Sequence, residues 1–309
     1  MMHCILCKSK KIKNTQKINT KSIIDLYKIE LNIDVTSEFL GTPFIDSWQC
    51  QNCKLLFFEP KTPGSEQFYK NLQQLESVYY SDSRPEFFEA LHFINKKDSV
   101  LEIGAGSANF AEKLDCYSYV GLEYSQEAIE KAKNKGIKLM KKSIEDFSIH
   151  NTEKFDVVCS FHVLEHVSNP LTYIESCLKT LKKGGKLICA VPCSDSFYSS
   201  NHNHVLNMPP HHMTRWNTKT FQYLSETFDL EIEKLYVTDK GKPVDYFEIK
   251  IRTLFFKWIL PNKQIVLNSL FLKAFHKIFK KINRALGLYK LDTFEKYKGM
   301  NMMLVAIKK

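Results

Sequence analysis

From Ser99 onward the hydrophobic positions form short, nearly continuous runs separated by stretches with a helical period. The runs are "SVLEIG", "YVGLEY", "IKLMKKS", "FDVVCSF", "GKLICAVP", "FDLEIEKLYVT" and, at the end of the chain, "GMNMMLVAIKK". Each has the length and apolar density of a strand buried on both faces. Between most of them lie amphipathic stretches such as "SQEAIEKAKNKG" and "LTYIESCLKTLKKGG". Strands alternating with helices predict an α/β fold built on a doubly wound, mostly parallel, seven-stranded sheet.

Elsewhere the pattern differs. Residues 1–60 hold strand-like pieces, "SEFLGTPFIDSWQ" and "KLLFFEP", the second ended by the turn Pro60–Gly64. Residues 61–97 read as a helical linker with Phe68, Leu72, Leu75, Val78 and Tyr79 near helical spacing and a break at Pro85. Residues 242–298 predict a helical insertion before the last strand, with Leu267, Leu270, Phe271, Ala274, Phe275, Ile278 and Ile282 as its apolar stripe and lysines opposite. The expected organisation is a small N-terminal segment (1–60), a linker (61–97), the α/β domain (98–241 with 299–309) and the insertion (242–298).

Cysteine usage gives the N-terminal segment its chemistry. Cys4 and Cys7, and Cys50 and Cys53, form two C-x-x-C pairs. Each tight pair can present two thiolates to one metal, and the metal replaces the core that so short a segment lacks. The spacing predicts a small zinc ribbon with a structural Cys₄ site, because four thiolates leave no open position. Disulfides and a redox-active pair are the alternatives; neither pair is followed by a clear helix. Cys116, Cys159, Cys177, Cys189 and Cys193 lie singly in apolar surroundings, usage that fits a reducing cytoplasm. Residues 8–21 are rich in Lys, Asn and Thr rather than apolar, which predicts no secretory leader. No apolar run is long enough to span a bilayer.

A hydrophobic content of 44% among 309 residues supplies an ordinary core. The net charge of +10 is unevenly placed. Ile249–Leu291 contains no acidic residue while basic ones recur from Lys250 to Lys290. Such a block is either a solvated basic face or a surface for an acidic partner: nucleic acid, an anionic membrane or a phosphorylated substrate.

The strand-to-helix turn "LEIGAGSAN" carries Gly104 and Gly106, which permit a tight turn and close approach of a ligand. The dinucleotide pattern fails, since Asn109 stands where its third glycine belongs. Glu102 would repel a pyrophosphate but suits an ammonium group. Glu123, closing the next strand, is placed to grip ribose hydroxyls. An amino group and a ribose without a pyrophosphate describe S-adenosylmethionine. With "LEIGAG", "VGLEYS", "SIEDF", "FDVVCSFHVLEHVSNP" and "LKKGGKLICAVP" in this order, the chain from about residue 98 to 240 resembles class I S-adenosylmethionine-dependent methyltransferases. "CQNCKLLFFEP" ahead of it is similar to the zinc-binding segment of one subgroup. The resemblance implies a Rossmann-like methyltransferase fold. It also implies that Gly104 and Gly106 line the methionine end, Glu123 binds the ribose, and Ile144 and Glu145 flank the adenine. Glu102, Tyr124 and Phe161 complete the implied cofactor set. Two positions depart from the pattern: Ala108 replaces a third glycine, and Ser143 stands where many relatives carry an acid.

"SFHVLEHVSNP" puts His162, Glu165 and His166 at the end of the fourth strand, where the ligand crevice of such a sheet lies. In similar enzymes this glutamate and histidine either structure the loop beneath the cofactor or, where an acid precedes them, resemble a divalent metal site. Here His162 replaces that acid, and a histidine-rich set favours Zn, Fe or Mn over Mg as a second, active-site metal. "NHVLNMPPHHMTRWNTKTF", with His202 just before it, adds His204, His211 and His212 beside Arg215 and Trp216. The resemblance puts His212, or its neighbour His211, beside the substrate, and a neutral histidine is a good base for a hydroxyl. The catalytic set expected is His162, Glu165, His166, His211 and His212.

The leading expectation is O-methylation of a small molecule or of a sugar in a surface glycan. RNA methylation is the alternative that the zinc ribbon and basic insertion suggest. A non-catalytic zinc-ribbon interaction protein is the third reading, opposed by retention of both glycines and both acids. The insertion adds an expectation of peripheral contact with the inner face of a membrane for an otherwise cytoplasmic protein.

Overall fold

The computed structural model describes residues 2–75, 84–196, 204–237 and 300–309, together with Ile278, Lys281 and Ala285. Val78, Tyr79, His202 and nearly all of the predicted insertion, including its basic block, lie outside the described residues.

The larger sheet has seven strands: β4 (Ser99–Ile103), β5 (Ser118–Leu122), β6 (Leu139–Met140), β7 (Phe155–Phe161), β8 (Leu181–Pro192), β10 (Leu230–Val237) and β11 (Asn301–Lys308). Their order is β10-β11-β8-β7-β4-β5-β6. The β4–β5, β5–β6, β4–β7 and β7–β8 pairs are parallel, while β11 runs antiparallel between β8 and β10. The chain moves outward from β4 to β6 and then returns to β7 on the other side of β4. This reversal opens a crevice at the carboxyl ends of β4 and β7, the place where such sheets bind ligands. The seven-stranded Rossmann-like expectation is met, with two local differences. The run "IKLMKKS" contributes only Leu139 and Met140, because Ser143 starts a helix by accepting from the Asp146 N–H. β8 starts earlier than its apolar run, at Leu181, through an irregular register beside Phe155–Val157.

Helices cover the sheet: α3 (Pro85–Leu91), α4 (Gln126–Asn134), α5 (Ile144–Ile149), α6 (Pro170–Thr180) and α7 (Thr218–Thr227). Pro85 opens α3, since an N1 proline lacks only a hydrogen that has no helical partner. Ser125 and Asn217 cap α4 and α7 by accepting N–H groups from Ala128 and Thr220.

The N-terminal sheet is antiparallel, in the order β1 (Ile12–Asn19), β2 (Phe44–Cys50), β3 (Leu56–Glu59) and β9 (Thr214–Arg215). Helix α1 (Thr20–Leu31) joins β1 to β2, and α2 (Glu66–Gln73) follows β3. The fourth strand comes from the histidine-rich segment, far along the chain: Leu56 pairs with Arg215 and Phe57 with Thr214. The segment predicted as a separate ribbon therefore shares a sheet with the methyltransferase fold. Its core is continuous too, with Cys4, Cys50, Cys53, Leu55 and Phe57 packing in one cluster with Trp216, Phe221 and Leu224.

Candidate active site

The glycine turn leaves β4 at the crevice. Gly104 and Gly106 have φ of 72° and 54°, the left-handed region that glycine enters without cost, and Ala108 follows at 62°. A β-carbon on Gly104 would lie 2.3 Å from Val163 Cγ2, so the turn also needs glycine to clear the "HVLEH" loop. The Glu123 carboxylate ties this turn to the next. Its Oε2 accepts from Gly106 N–H, and its Oε1 accepts from Tyr124 and Ser125 N–H, all at 2.8 Å. A carboxylate offers about four lone-pair directions, so Oε2 retains one for a ligand hydroxyl. Tyr124 is exposed beside it, Glu145 is half-buried, and Phe161 packs edge-on to Phe87. These residues fit an S-adenosylmethionine whose ribose meets Glu123. Two predicted cofactor residues turn inward: Ile144 lies in the core, and Glu102, 2% exposed, accepts the Tyr119 hydroxyl at 2.6 Å. Burial pushes the Glu102 carboxyl up to about 8.

The second half of the site gathers at the end of β7. Leu164–His166 form one 3₁₀ turn, and the histidine segment is clamped against it. Met213 N–H donates to Glu165 O at 2.9 Å, and the Thr214 hydroxyl lies 3.3 Å from both Leu164 O and Glu165 O. His166, His211 and His212 thereby converge, each offering one ring nitrogen, with these atoms within 4.8 Å of one another. The rings of His211 and His212 stack at 4.6 Å, and His166 lies 4.5 and 5.0 Å from them.

The outward nitrogens are set by what the other nitrogens touch. His166 Nδ1 lies 2.6 Å from His211 O, and His211 Nδ1 lies 2.8 Å from Leu206 O. A carbonyl oxygen only accepts, so these Nδ1 atoms carry the hydrogen and the Nε2 lone pairs face the cluster. His212 Nδ1 makes the same contact with Asn207 Oδ1 at 3.1 Å. Burial, reinforced by the neighbouring imidazoles, holds His211 and His212 well below the usual histidine range, so both are neutral near pH 7.

Glu165 is the acidic member. It is 1% exposed, and neither carboxylate oxygen accepts a hydrogen bond. Three imidazoles surround Oε1: His162 Nδ1 at 3.5 Å, His166 Nε2 at 3.8 Å and His212 Nε2 at 4.0 Å. Burial raises its pKa, but His166 and His162 more than offset this and hold it below the usual carboxylate value. An ionised, buried carboxylate without hydrogen bonds beside three converging imidazoles is the donor set of a divalent transition-metal site.

His162 stands apart from that set. It adopts φ 57° and lies between Glu165 and Glu86 of α3, whose Oε1 is 3.7 Å from its Nε2. Burial opposes its charge, yet the two carboxylates prevail and raise its pKa. For Glu86, burial is likewise outweighed, by His162 and Asn301, which hold its carboxyl at about 2. The sequence reading missed Glu86, and it also missed Tyr69 of α2, whose ring packs edge-on to His166 at 6.0 Å. Neither residue stands out in sequence, because an acid and a tyrosine on amphipathic helices are ordinary. A cavity of about 110 Å³ adjoins the cluster, bounded by Glu165, His212, Asn207 and Arg215 and by residues at the ends of β8 and β11.

The N-terminal cysteines also converge. Cys4 Sγ lies 3.6 Å from Cys53 Sγ, and Cys7 Sγ lies 3.5 Å from Cys50 Sγ; all four sulfurs are within 4.8 Å of one another. A tetrahedral zinc with Zn–S bonds of about 2.3 Å would space its sulfurs about 3.8 Å apart. The two knuckles repeat one local design. Leu6 and Asn52 N–H groups donate to Cys4 and Cys50 sulfurs at 3.4 Å, Cys4 and Cys50 N–H groups donate to Ser9 and Leu55 carbonyls, and Lys8 and Lys54 turn with φ of 57° and 63°. The donor set fits zinc and leaves it no open position.

Comparison with known proteins agrees with this architecture. A family model described as a methyltransferase domain matches residues 73–235, more than half of the chain. An uncharacterized protein of Methanocaldococcus jannaschii is 33% identical over 133 residues, covering 43% of this chain and 61% of that protein. A ubiquinone biosynthesis O-methyltransferase of Vibrio vulnificus is 36% identical over 94 residues, or 28% of this chain and 40% of that enzyme. The chain thus spans less than two thirds of these curated relatives. A SAM-dependent methyltransferase structure from Thermotoga maritima superposes with a TM-score of 0.51 at 18% identity, covering 79% of this chain and 97% of that one, a likeness of fold. With the glycine turn, the seven-stranded order and the family match together, the chain belongs to the methyltransferase-domain family of S-adenosylmethionine-dependent enzymes.

Proposed function

We propose that this protein transfers the methyl group of S-adenosylmethionine to a hydroxyl oxygen of a small molecule or of a sugar in a surface glycan. The observation that carries the reading is the convergence of Glu165, His166, His211 and His212 beside a cavity at the carboxyl end of β7. S-Adenosylmethionine supplies a methyl on a sulfonium, which departs as a neutral thioether when the acceptor oxygen attacks. Gly104 and Gly106 shape the turn for its methionine end, Glu123 accepts from its ribose, and Tyr124, Glu145 and Phe161 border the rest. Glu102 and Ile144 act from the core, by setting the turn and the start of α5.

The chain's own work at the acceptor is positioning and proton removal. In our reading Glu165 and the Nε2 atoms of His166, His211 and His212 hold a divalent transition metal. When bound, it would lower the pKa of the acceptor hydroxyl, whose proton would then pass to solvent as the oxygen takes the methyl. His162, between Glu86 and Glu165, fixes the orientation of Glu165. Cys4, Cys7, Cys50 and Cys53 hold a structural zinc. The shared O-methyltransferase naming of the Vibrio relative supports oxygen as the atom methylated. Peripheral membrane contact rests on residues 242–298 and RNA binding on these with the zinc ribbon, whereas cytoplasmic residence rests on the singly placed cysteines and on residues 8–21. Among the described residues no helix is long and apolar enough to cross a membrane.

The test is an incubation with methyl-labelled S-adenosylmethionine and a panel of catechols and sugar nucleotides, with and without a chelator. The reading expects S-adenosylhomocysteine together with an O-methylated product, and a large chelator-sensitive fraction of the rate. Label on nitrogen or carbon, or no cofactor binding by calorimetry, would defeat it.

A further inference from the structure

The acceptor cavity is lined by Glu165 and His212 of the histidine–glutamate cluster and by Arg215, with Asn207 touching both His212 and Arg215. Arg215 is 9% exposed. Its Nε and Nη2 both donate to a single acceptor, the Asn207 carbonyl, at 3.0 and 2.5 Å. A guanidinium has five N–H donors, so three remain. The Phe58 ring under its Cζ at 5.3 Å holds its plane. A carbonyl dipole orients a cation without neutralising it, and no carboxylate pairs with Arg215 among the described residues. Burial lowers its pKa, but only to about 10, which leaves it charged near pH 7. Buried cations are retained when something anionic pairs with them. Among the described residues no such partner stands beside Arg215.

We propose that the acceptor carries an oxyanion, a carboxylate or a phosphate, and that Arg215, on the wall of the same cavity, receives it. The proposal rests on the methyl-transfer reading for the hydroxyl end alone. Charge on the walls points the same way. His212 is neutral, and Ser194, Ser196 and Asn207 bring no charge. Glu165 is the acid of this wall, and three imidazoles surround its Oε1. If Glu165 and the three histidines hold a divalent cation, that cluster carries a net positive charge as well, and the cavity favours an anion. Planar, forked recognition of a carboxylate or phosphate is what arginine provides and lysine does not.

The anion of the cofactor is not the natural occupant. The cavity is lined by Pro192 and Cys193, at the end of β8, and by Met300 and Asn301, at the start of β11. In the order β11-β8-β7-β4 this is the far side of β7 from the glycine turn that follows β4.

The experiment measures calorimetric affinity of the full chain for matched probes, in wild type and in Arg215→Gln and Arg215→Lys. The pairs are 3,4-dihydroxybenzoate against catechol, glucuronate against glucose, and glucose 6-phosphate against glucose. In wild type the anionic member of at least one pair binds more tightly. In Arg215→Gln the ratio of anionic to neutral affinity falls by about 10–100-fold, the size of one charge-assisted contact. Arg215→Lys, which keeps the charge but not the fork, lies between. The carboxylate and phosphate pairs distinguish which oxyanion is preferred. Thermal melting of both variants shows whether they fold, and the lysine variant serves if the glutamine one does not. Equal binding of anionic and neutral probes in wild type would overturn the proposal. So would a fall in S-adenosylmethionine affinity without a change in the ratio. Arg215-dependent oxyanion binding without O-methylation would instead defeat the hydroxyl reading and leave this one standing.

Discussion

Among the described residues two clusters are able to hold a metal, and they differ in nearly every physical respect. The cysteine cluster comes from two copies of one short local design, and three of its four cysteines have no exposed surface. It offers four sulfurs in tetrahedral spacing and nothing else. The histidine–glutamate cluster comes from two loops more than forty residues apart in sequence, and it offers imidazoles and a carboxylate against an open cavity. A closed set saturates its metal and contributes folding energy; an open one leaves room for a substrate. The clusters are also mechanically joined. β3 begins three residues after Cys53 and pairs with β9, which begins two residues after His212. Phe58 N–H donates to Met213 O, and Asn217 Nδ2 donates to Lys54 O. The structural site therefore braces the loop that carries the chemical one.

Cys50→Ser is expected to have the largest effect. Structural zinc supplies about 10–16 kcal/mol in isolated zinc-finger peptides, so losing one thiolate should release the metal and loosen the N-terminal sheet. If the clusters are coupled as the β3–β9 pairing implies, hydrogen exchange should rise at Met208–Arg215 as well as around the knuckles. Unchanged protection at Met208–Arg215 in a zinc-free variant would break the coupling.

Phe58→Ala comes next, acting on the seam while sparing both ligand sets. Phe58 is 1% exposed and lies under Arg215. Removing a buried phenyl group costs about 3–5 kcal/mol, readable as a lowered denaturant midpoint. Zinc content should stay near one per chain while affinity at the histidine cluster falls. Zinc loss in step with unfolding of the seam would show that the two regions are one cooperative unit.

His212→Ala should leave the fold and the cysteine zinc in place and weaken transition-metal binding at the second cluster by more than about 100-fold, since losing even an outer-shell partner of a ligand costs about 10–100-fold. Cobalt substitution separates the two sites, since thiolate ligands give charge-transfer absorption that imidazole and carboxylate do not. A loss of thiolate absorption, instead of the second class of cobalt, would reverse the roles assigned to the two clusters.

The contrast also explains what the sequence could reveal. Local designs were legible: C-x-x-C knuckles, the glycine turn with Glu123, and strands written as apolar runs all specify geometry within a few residues. The histidine cluster was legible in composition but not in membership. His162 and His166 look equivalent in "HVLEH", yet the positive φ at His162 sends its ring toward Glu86 while His166 meets His211 and His212. Glu86, Tyr69 and Asn207 became partners only through packing between α2, α3 and the histidine loop, and no periodicity encodes that. β9 was invisible for a similar reason, because two residues pairing across more than one hundred and fifty positions leave no local pattern.

Two buried acids give the finest version of the comparison. Glu165 and Glu102 are equally hidden, at 1% and 2% exposure. Imidazoles around Glu165 hold its pKa below the usual carboxylate value, whereas Glu102 has a tyrosine hydroxyl for a partner, and burial pushes it up to about 8. Between the unfolded value near 4.5 and this folded value, native Glu102 binds the proton and the unfolded chain does not. Its contribution to stability is therefore present at low pH and falls as pH rises through that window. From pH 6 to pH 8 the loss is about 2 kcal/mol, on the scale of about 1.4 kcal/mol per pH unit. Glu102→Gln removes the titration, and its amide oxygen can still accept from Tyr119. The variant should gain on the wild type by that amount as pH rises from 6 to 8, measured by urea unfolding. Parallel pH profiles for the two proteins would mean that Glu102 is ionised in the fold, and that a buried carboxylate here does not need the imidazoles that Glu165 has.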